Sequence, residues 1–245
     1  MTALDGRRIL VTGASRGIGA AIADAVIAAG ARLAVLVRHQ EQAGRGEDIV
    51  SVHASLTDPE ATTAAVVQAA EALGGLDAVV NNAGTFRLGR VADGMYPDWR
   101  DMVDTNILGL LTVTKAAIPY LARSQAGQII NISSMGGRRV TSAEQGVYAA
   151  TKHAVHALSV GLHQELHSLG IRVTVIAPGL VHTNLGEYIT DPEIRSRAET
   201  MQRTWGLAPS DVAAQVVHVL TTPPDVHLIE IALASRRQPP PGAES

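Results

Sequence analysis

Short runs rich in branched aliphatic residues alternate with helical stretches along almost the whole chain, and this alternation constrains the fold most. Arg8 to Thr12, Leu33 to Val37, Leu76 to Val80, Gln128 to Ile132 and Ile171 to Ile176 are runs of strand length. Ile49 to His53 is a weaker run, and Val226 to Leu233 a last one. Between them, an Ala-rich stretch closes at Gly30, and Asp58 to Leu73 opens on an N-cap aspartate with Pro59 behind it. Pro97 to Leu121 and Val147 to Leu169 read as long helices, and Pro209 to Leu220 as a shorter one. Strands that are apolar on both faces belong in the middle of a layered protein. The sequence therefore predicts an α/β fold: one doubly wound, parallel, seven-stranded sheet of Rossmann type with helices on both faces. In such sheets ligands bind beyond the carboxyl ends of the strands.

Composition narrows the function by exclusion. A formal net charge of -3 gives no reason to expect nucleic acid or an anionic membrane as partner. The absence of cysteine rules out disulfides, thiol catalysis and cysteine-ligated zinc. Met1 to Arg8 leads straight into a strand with no long apolar run before it, so no signal peptide is expected. No uncharged apolar run is long enough to span a bilayer, and a cytoplasmic location is the default.

Gly13, Gly17 and Gly19 follow the first strand directly and open a helix. Glycines there permit unusual backbone angles and let a pyrophosphate approach the helix N–H groups without an intervening Cβ. The spacing is G-x-x-x-G-x-G, and the plain alternative is a tight strand-to-helix turn. An acid at the end of the second strand would favour the ribose 2′-hydroxyl of NAD, and an arginine the 2′-phosphate of NADP. That strand ends Leu36-Val37-Arg38-His39, with no acid, and Arg16 in the turn offers a second guanidinium. Together they favour NADP(H).

Tyr148 and Lys152 stand at i and i+4, on one face of a helix. A phenol ordinarily ionises near ~10. An ammonium beside it, with a positive nicotinamide ring, stabilises the phenolate and brings that value towards working pH. Such a phenol can donate a proton to a carbonyl oxygen as hydride arrives. Tyr-x-x-x-Lys alone is common in amphipathic helices; its context makes it informative.

Thr12-Gly13-Ala14-Ser15-Arg16-Gly17-Ile18-Gly19, Asn81-Asn82-Ala83-Gly84, Asn106, Ile132-Ser133-Ser134, Tyr148 with Lys152, and Pro178-Gly179 followed by Thr183 occur in this order. That series resembles the short-chain dehydrogenase/reductase family from about residue 7 to about residue 234. The resemblance implies that Ser134 hydrogen-bonds the substrate oxygen, that Asn106 holds a bend in its helix and a water leading to Lys152, and that Lys152 also holds the nicotinamide ribose. It also implies cofactor contacts from Gly13, Ser15, Arg16, Gly17, Ile18, Gly19, Arg38, Ser55, Leu56, Asn82, Ala83, Gly84, Tyr148, Lys152, Pro178, Gly179, Val181 and Thr183. No metal is implied. Residues 1–235 would form the dinucleotide-binding and catalytic domain, with a substrate lid at about 183–208 and a flexible tail at 236–245. Family members assemble as homotetramers or homodimers through their two long helices, and the same is expected here.

Two departures from the family pattern concern the adenine side. Ser55 stands where relatives carry an aspartate, and the 39–48 segment is too short for a full crossover helix. His163 and His167 share a helical face but lack the His-Glu-x-x-His order, which favours surface or interface histidines over a zinc site. The ending Val226 to Leu233, with Gly136-Gly137-Arg138, is similar to the branch holding 3-hydroxy acid, serine and clavulanate dehydrogenases. The substrate is expected to be a small carbonyl or alcohol, met by Phe86-Arg87, Met135 to Arg139, Leu180 to Leu185 and the stretch from Gly186 to Leu207 with Tyr188, Met201 and Trp205. Arg87, Arg138 and Arg139 read individually as solvated charges, with binding of a carboxylate or phosphate on it as the alternative. The reaction expected is NADPH-dependent interconversion of a carbonyl and an alcohol. The alternatives are a catalytically inactive cofactor-sensing regulator and an NADP-dependent epimerase or dehydratase on the same scaffold.

Overall fold

The computed structural model describes residues 2–39, 49–183, 189 and 191–239. Among the described residues seven strands form one parallel sheet: β1 (Arg8–Thr12), β2 (Arg32–Val37), β3 (Val50–His53), β4 (Ala78–Asn81), β5 (Gln128–Ile132), β6 (Arg172–Pro178) and β7 (Glu230–Leu233). Their order is β3-β2-β1-β4-β5-β6-β7, so the direction of winding reverses between β1 and β4. The fold is the Rossmann-type α/β arrangement expected.

Residues alternate faithfully between the two faces. Ile9 and Val11 of β1 join Leu33, Val35 and Val37 of β2 in one core cluster, beneath α1 (Gly17–Ala28) and α7 (Pro209–Leu220). Leu10, Ala34 and Leu36 belong to the opposite cluster, covered by α2 (Pro59–Leu73), α4 (Leu110–Leu121) and α5 (Gly146–Leu166). Period-two alternation of apolar side chains is what lets helices cover both faces.

Several boundaries differ from expectation. The single helix expected over 97–121 is α3 (Tyr96–Val103), a π-helical turn over Asp104–Gly109, and then α4. A π-turn widens the helix by one residue and commonly sits where a side chain must be re-aimed; here the side chain is Asn106. Gly109 in the same turn faces Leu56, whose Cβ lies 2.7 Å from where a Gly109 Cβ would stand. The last strand starts at Glu230 instead of Val226; just before it Val175 N donates to Ile229 O at 3.0 Å and Thr174 Oγ1 to Leu228 O at 2.6 Å. Within the polar stretch at 186–207 lies a helix not expected from periodicity, α6 (Pro192–Trp205). Asp191 caps it, accepting from Glu193 N at 2.9 Å and Ile194 N at 3.1 Å. The short crossover at 40–48, and Leu185, Gly186 and Tyr188 of the expected substrate region, lie outside the described residues.

Candidate active site

The first βα turn is built by close backbone approach. Gly13 and Gly17 have φ of +67° and +57°, which side chains rarely tolerate. A Cβ on Gly13 would stand 2.8 Å from Ala83 Cα, and one on Gly19 would overlap the Gly13 carbonyl oxygen and the Asn82 amide. Thr12 Oγ1 accepts from Asn82 N at 3.1 Å and Ala83 N at 3.0 Å, while Asn82 Nδ2 donates to the carbonyls of Thr12 and Gly13. The ends of β1 and β4 are thereby stitched together at the switch point. Arg16 stands at the N-cap of α1 in extended conformation, with no side-chain cap on the first turn. The N-terminal N–H groups and the helix dipole suit an anion.

A cleft of about 400 Å³ runs from this turn. Ser15, Arg16, Gly17, Ile18, Arg38, Ser55, Leu56, Asn82, Ala83 and Gly84 line it. Tyr148 and Lys152 line the same cleft, and Thr183 faces the turn, 3.3 Å from where a Gly17 Cβ would stand. Thus most of the cofactor positions expected from sequence line one cavity. Pro178, Gly179 and Val181 do not line it. Gly179 N donates to Leu233 O at 2.7 Å, Leu180 N to Gln238 Oε1 at 3.0 Å, and Val181 is buried and bridged to Leu207. Gln238, in the segment expected to be a flexible tail, is therefore docked on the end of β6.

The proton-handling pair lies where α5 crosses the end of β5. Lys152 is buried, and its Nζ donates to Ile132 O at 3.0 Å. Burial lowers its pKa to about 8. The Nζ lies 6.0 Å from the centre of the Tyr148 ring. Burial pushes the Tyr148 phenol up to about 12, against an opposing hydrogen bond from Ser134. Burial disfavours charge on both groups, and one N–H of the Lys152 side chain is engaged by the Ile132 carbonyl.

The two serines after β5 separate cleanly. Ser133 is buried with its hydroxyl donating to Lys152 O at 3.2 Å, which places it among the cleft walls but turned to the α5 backbone. Ser134 accepts from Gly136 N at 3.0 Å, and its hydroxyl draws the Tyr148 phenol down against the effect of burial. Asn106 sits behind Gly84: its Oδ1 accepts from Thr85 N at 2.8 Å, and its Nδ2 donates to Thr85 O at 2.9 Å and Thr151 Oγ1 at 3.1 Å. All its side-chain atoms serve to hold the loop after β4 against α5. Thr85 and Asp101, which take part in this bracing, carry no motif and were not expected from sequence.

Of the basic residues considered for an acidic substrate, Arg87 pairs with Asp98 at 3.3 Å and Asp101 at 3.2 Å, and Arg138 with Glu230 at 3.0 Å. Phe86 packs edge to face on Tyr148. His163 lies with its ring centre 5.9 Å from that of His167 and 4.6 Å from that of His227.

The fold, with its cleft at the switch point, defines a Rossmann-type α/β protein. A family model described as short chain dehydrogenase matches residues 7–194, and the chain belongs to that family of oxidoreductases. An uncharacterized oxidoreductase of Staphylococcus aureus strain MRSA252 is 34% identical over 239 residues, covering 95% of this chain and 99% of the relative. Among solved structures, a serine dehydrogenase complexed with NADP+ is 30% identical with a TM-score of 0.86, covering 97% of this chain and 98% of that one. A short chain dehydrogenase from Burkholderia cenocepacia J2315 in complex with NADP is 32% identical with a TM-score of 0.82, covering 94% and 97%. A 3-ketoacyl-(acyl-carrier-protein) reductase from Brucella melitensis, 25% identical with a TM-score of 0.82 over 96% and 99%, is complexed with NADH. Among the described residues no helix is long and apolar enough to cross a membrane.

Proposed function

We propose that this oxidoreductase interconverts a carbonyl and an alcohol on a small molecule, using NADP(H), with Tyr148 as general acid and base. The observation that carries the reading is the cleft itself: it joins the glycine turn and Arg16 and Arg38 to Tyr148 and Lys152. The turn fits a dinucleotide, since the space a Cβ would fill at Gly13 and Gly19 is needed by the backbone, and the first turn of α1 carries no side-chain cap.

Gly13, Ser15, Gly17, Ile18 and Gly19 would hold the pyrophosphate, and Asn82, Ala83, Gly84, Ser55 and Leu56 the adenosine side. Thr183, with Pro178, Gly179 and Val181 supporting its segment, would hold the nicotinamide end. Arg16 and Arg38 would meet the 2′-phosphate, a bidentate task that suits guanidinium. A bound nicotinamide supplies or accepts the hydride. Ser134 hydrogen-bonds the substrate oxygen, and Tyr148 delivers its proton to that oxygen as charge develops there. Lys152 holds ribose hydroxyls and keeps a positive charge near the phenol. Asn106 holds the loop and helix between which Lys152 is replenished with protons through water.

Two of the similar structures named above carry NADP and one NADH, which supports a nicotinamide cofactor and leaves the choice to Arg16 and Arg38. The test is steady-state turnover of a carbonyl panel with NADPH against NADH. A kcat/KM ratio favouring NADPH by about tenfold or more, lost in Arg38→Ala, is expected from one charge-assisted phosphate contact. A preference for NADH in the wild type would overturn the cofactor assignment.

A further inference from the structure

Phe86 is the single phenylalanine of the chain, and its ring stands against Tyr148. The ring centres are 4.6 Å apart and the planes meet at 85°. This edge-to-face contact is a favoured geometry for two aromatic rings. Both residues line the cleft. Phe86 is also tied on each side. Thr85 is held by Asn106 through its N–H and carbonyl, at 2.8 and 2.9 Å, and its hydroxyl donates to Asp101 Oδ2 at 3.0 Å. Arg87 donates to the same Asp101 oxygen at 3.2 Å and to Asp98 Oδ1 at 3.3 Å. Helix α3 thus grips the residues before and after Phe86 with two carboxylates and fixes the ring between them.

This clamp also has a chemical consequence. The guanidinium next in sequence to the ring is already matched by two acids. A carboxylate placed against Phe86 would lose water beside an aromatic face, with the neighbouring guanidinium already engaged by Asp98 and Asp101, an unfavourable exchange. An uncharged hydrocarbon group would instead gain by burial there.

We propose that Phe86 is a specificity-determining residue: its ring is the wall that receives an uncharged, apolar substituent of the carbonyl substrate and fixes the Tyr148 phenol beside it. The proposal rests on Tyr148 being the acid and base of the reaction. Burial holds the phenol up at about 12, and the Phe86 ring supplies part of that burial.

The experiment compares wild type, Phe86→Leu and Phe86→Ala, as full chains with NADPH, on a methyl ketone bearing an alkyl or aryl group and on a keto acid matched to it in length. Wild type is expected to favour the neutral ketone by about tenfold or more in kcat/KM, the range a well-formed apolar pocket achieves. Phe86→Ala is expected to lose most of that preference, and Phe86→Leu, which keeps an apolar side chain, to retain it. A wild-type preference for the keto acid, or an unchanged ratio in Phe86→Ala, would overturn the specificity claim. The second readout needs no turnover: phenolate absorbance is titrated in each protein, with Tyr148→Phe isolating this residue from the other tyrosines. The Tyr148 midpoint is expected to fall towards its ordinary value in Phe86→Ala. An unmoved midpoint would overturn the positioning claim. If Tyr148→Phe keeps full activity, the acid and base reading fails, while the two ratios still decide whether Phe86 selects the substrate.

Discussion

The Lys152 ammonium donates to the Ile132 carbonyl oxygen across 3.0 Å, tying the middle of the α5 face to the end of β5. A buried lysine whose pKa is lowered to about 8 has a definite effect on stability. The folded protein gives up the proton near pH 8, and the unfolded chain only near its ordinary 10.5. Between those values the unfolded chain binds more protons, so stability rises with pH. Lys152→Met is expected to flatten this rise, measured by urea denaturation at a series of pH values. Tyr148 acts in the opposite sense from its ordinary 10 to about 12, where stability is lost as pH rises, so the comparison belongs below pH 10.

Acid stability depends on a different pair. Burial of Asp77 would raise its pKa, but hydrogen bonds from the Arg8 side chain and backbone, and from Ser124, outweigh that and lower it to about 2. Its stabilisation is fully present above the ordinary 3.8 and is lost as pH falls through about 2. Asp77→Asn is expected to cost about 1–2 kcal/mol at neutral pH and to remove the corresponding part of the acid limb. Denaturant midpoints at neutral and acid pH measure both.

Gly13 combines a φ of +67° with the 2.8 Å approach of Ala83 Cα to the position of an added Cβ. Gly13→Ala is expected to cost about 2 kcal/mol or more, since strain and overlap add. Binding of NADPH, followed by fluorescence, should weaken in the same variant, because the displaced backbone is the cradle itself.

Asn106 is buried and uses both ends of its amide on Thr85. Asn106→Ala leaves a buried N–H and C=O unpaired and is expected to cost about 2–4 kcal/mol. Asn106→Asp keeps the acceptor for Thr85 N but loses the donor to Thr85 O and Thr151, so an intermediate loss is expected. Thermal unfolding of the two variants separates these outcomes.

The sheet was legible because its residues obey a simple period. Ile9 and Val11 face one layer and Leu10 the other, and every strand run found by composition is a strand in the same order. What periodicity missed lies where side chains override it. The π-turn around Asn106 has helical composition throughout, so the bend there came from the family resemblance and not from periodicity; in it Asn106 pairs with Thr85 and Thr151. β7 begins at Glu230, and just before it the Thr174 hydroxyl donates to the Leu228 carbonyl. Helix α6 was discoverable: Asp191-Pro192 repeats the Asp58-Pro59 start that marks α2, yet its polar composition hid it, and it buries none of its residues. The Tyr148–Phe86 contact and the engagement of Arg87 and Arg138 by acids depend on residues far apart in sequence, so no motif could announce them.

The most direct measurement is NADPH oxidation by wild type and Tyr148→Phe with the same carbonyl substrate. The phenylalanine keeps the ring that packs on Phe86 and removes only the hydroxyl beside Ser134. The expected result is a fall in kcat of about a hundredfold or more, the usual contribution of a positioned general acid, with NADPH affinity nearly unchanged. Undiminished kcat in Tyr148→Phe would contradict the assignment of the proton to this residue.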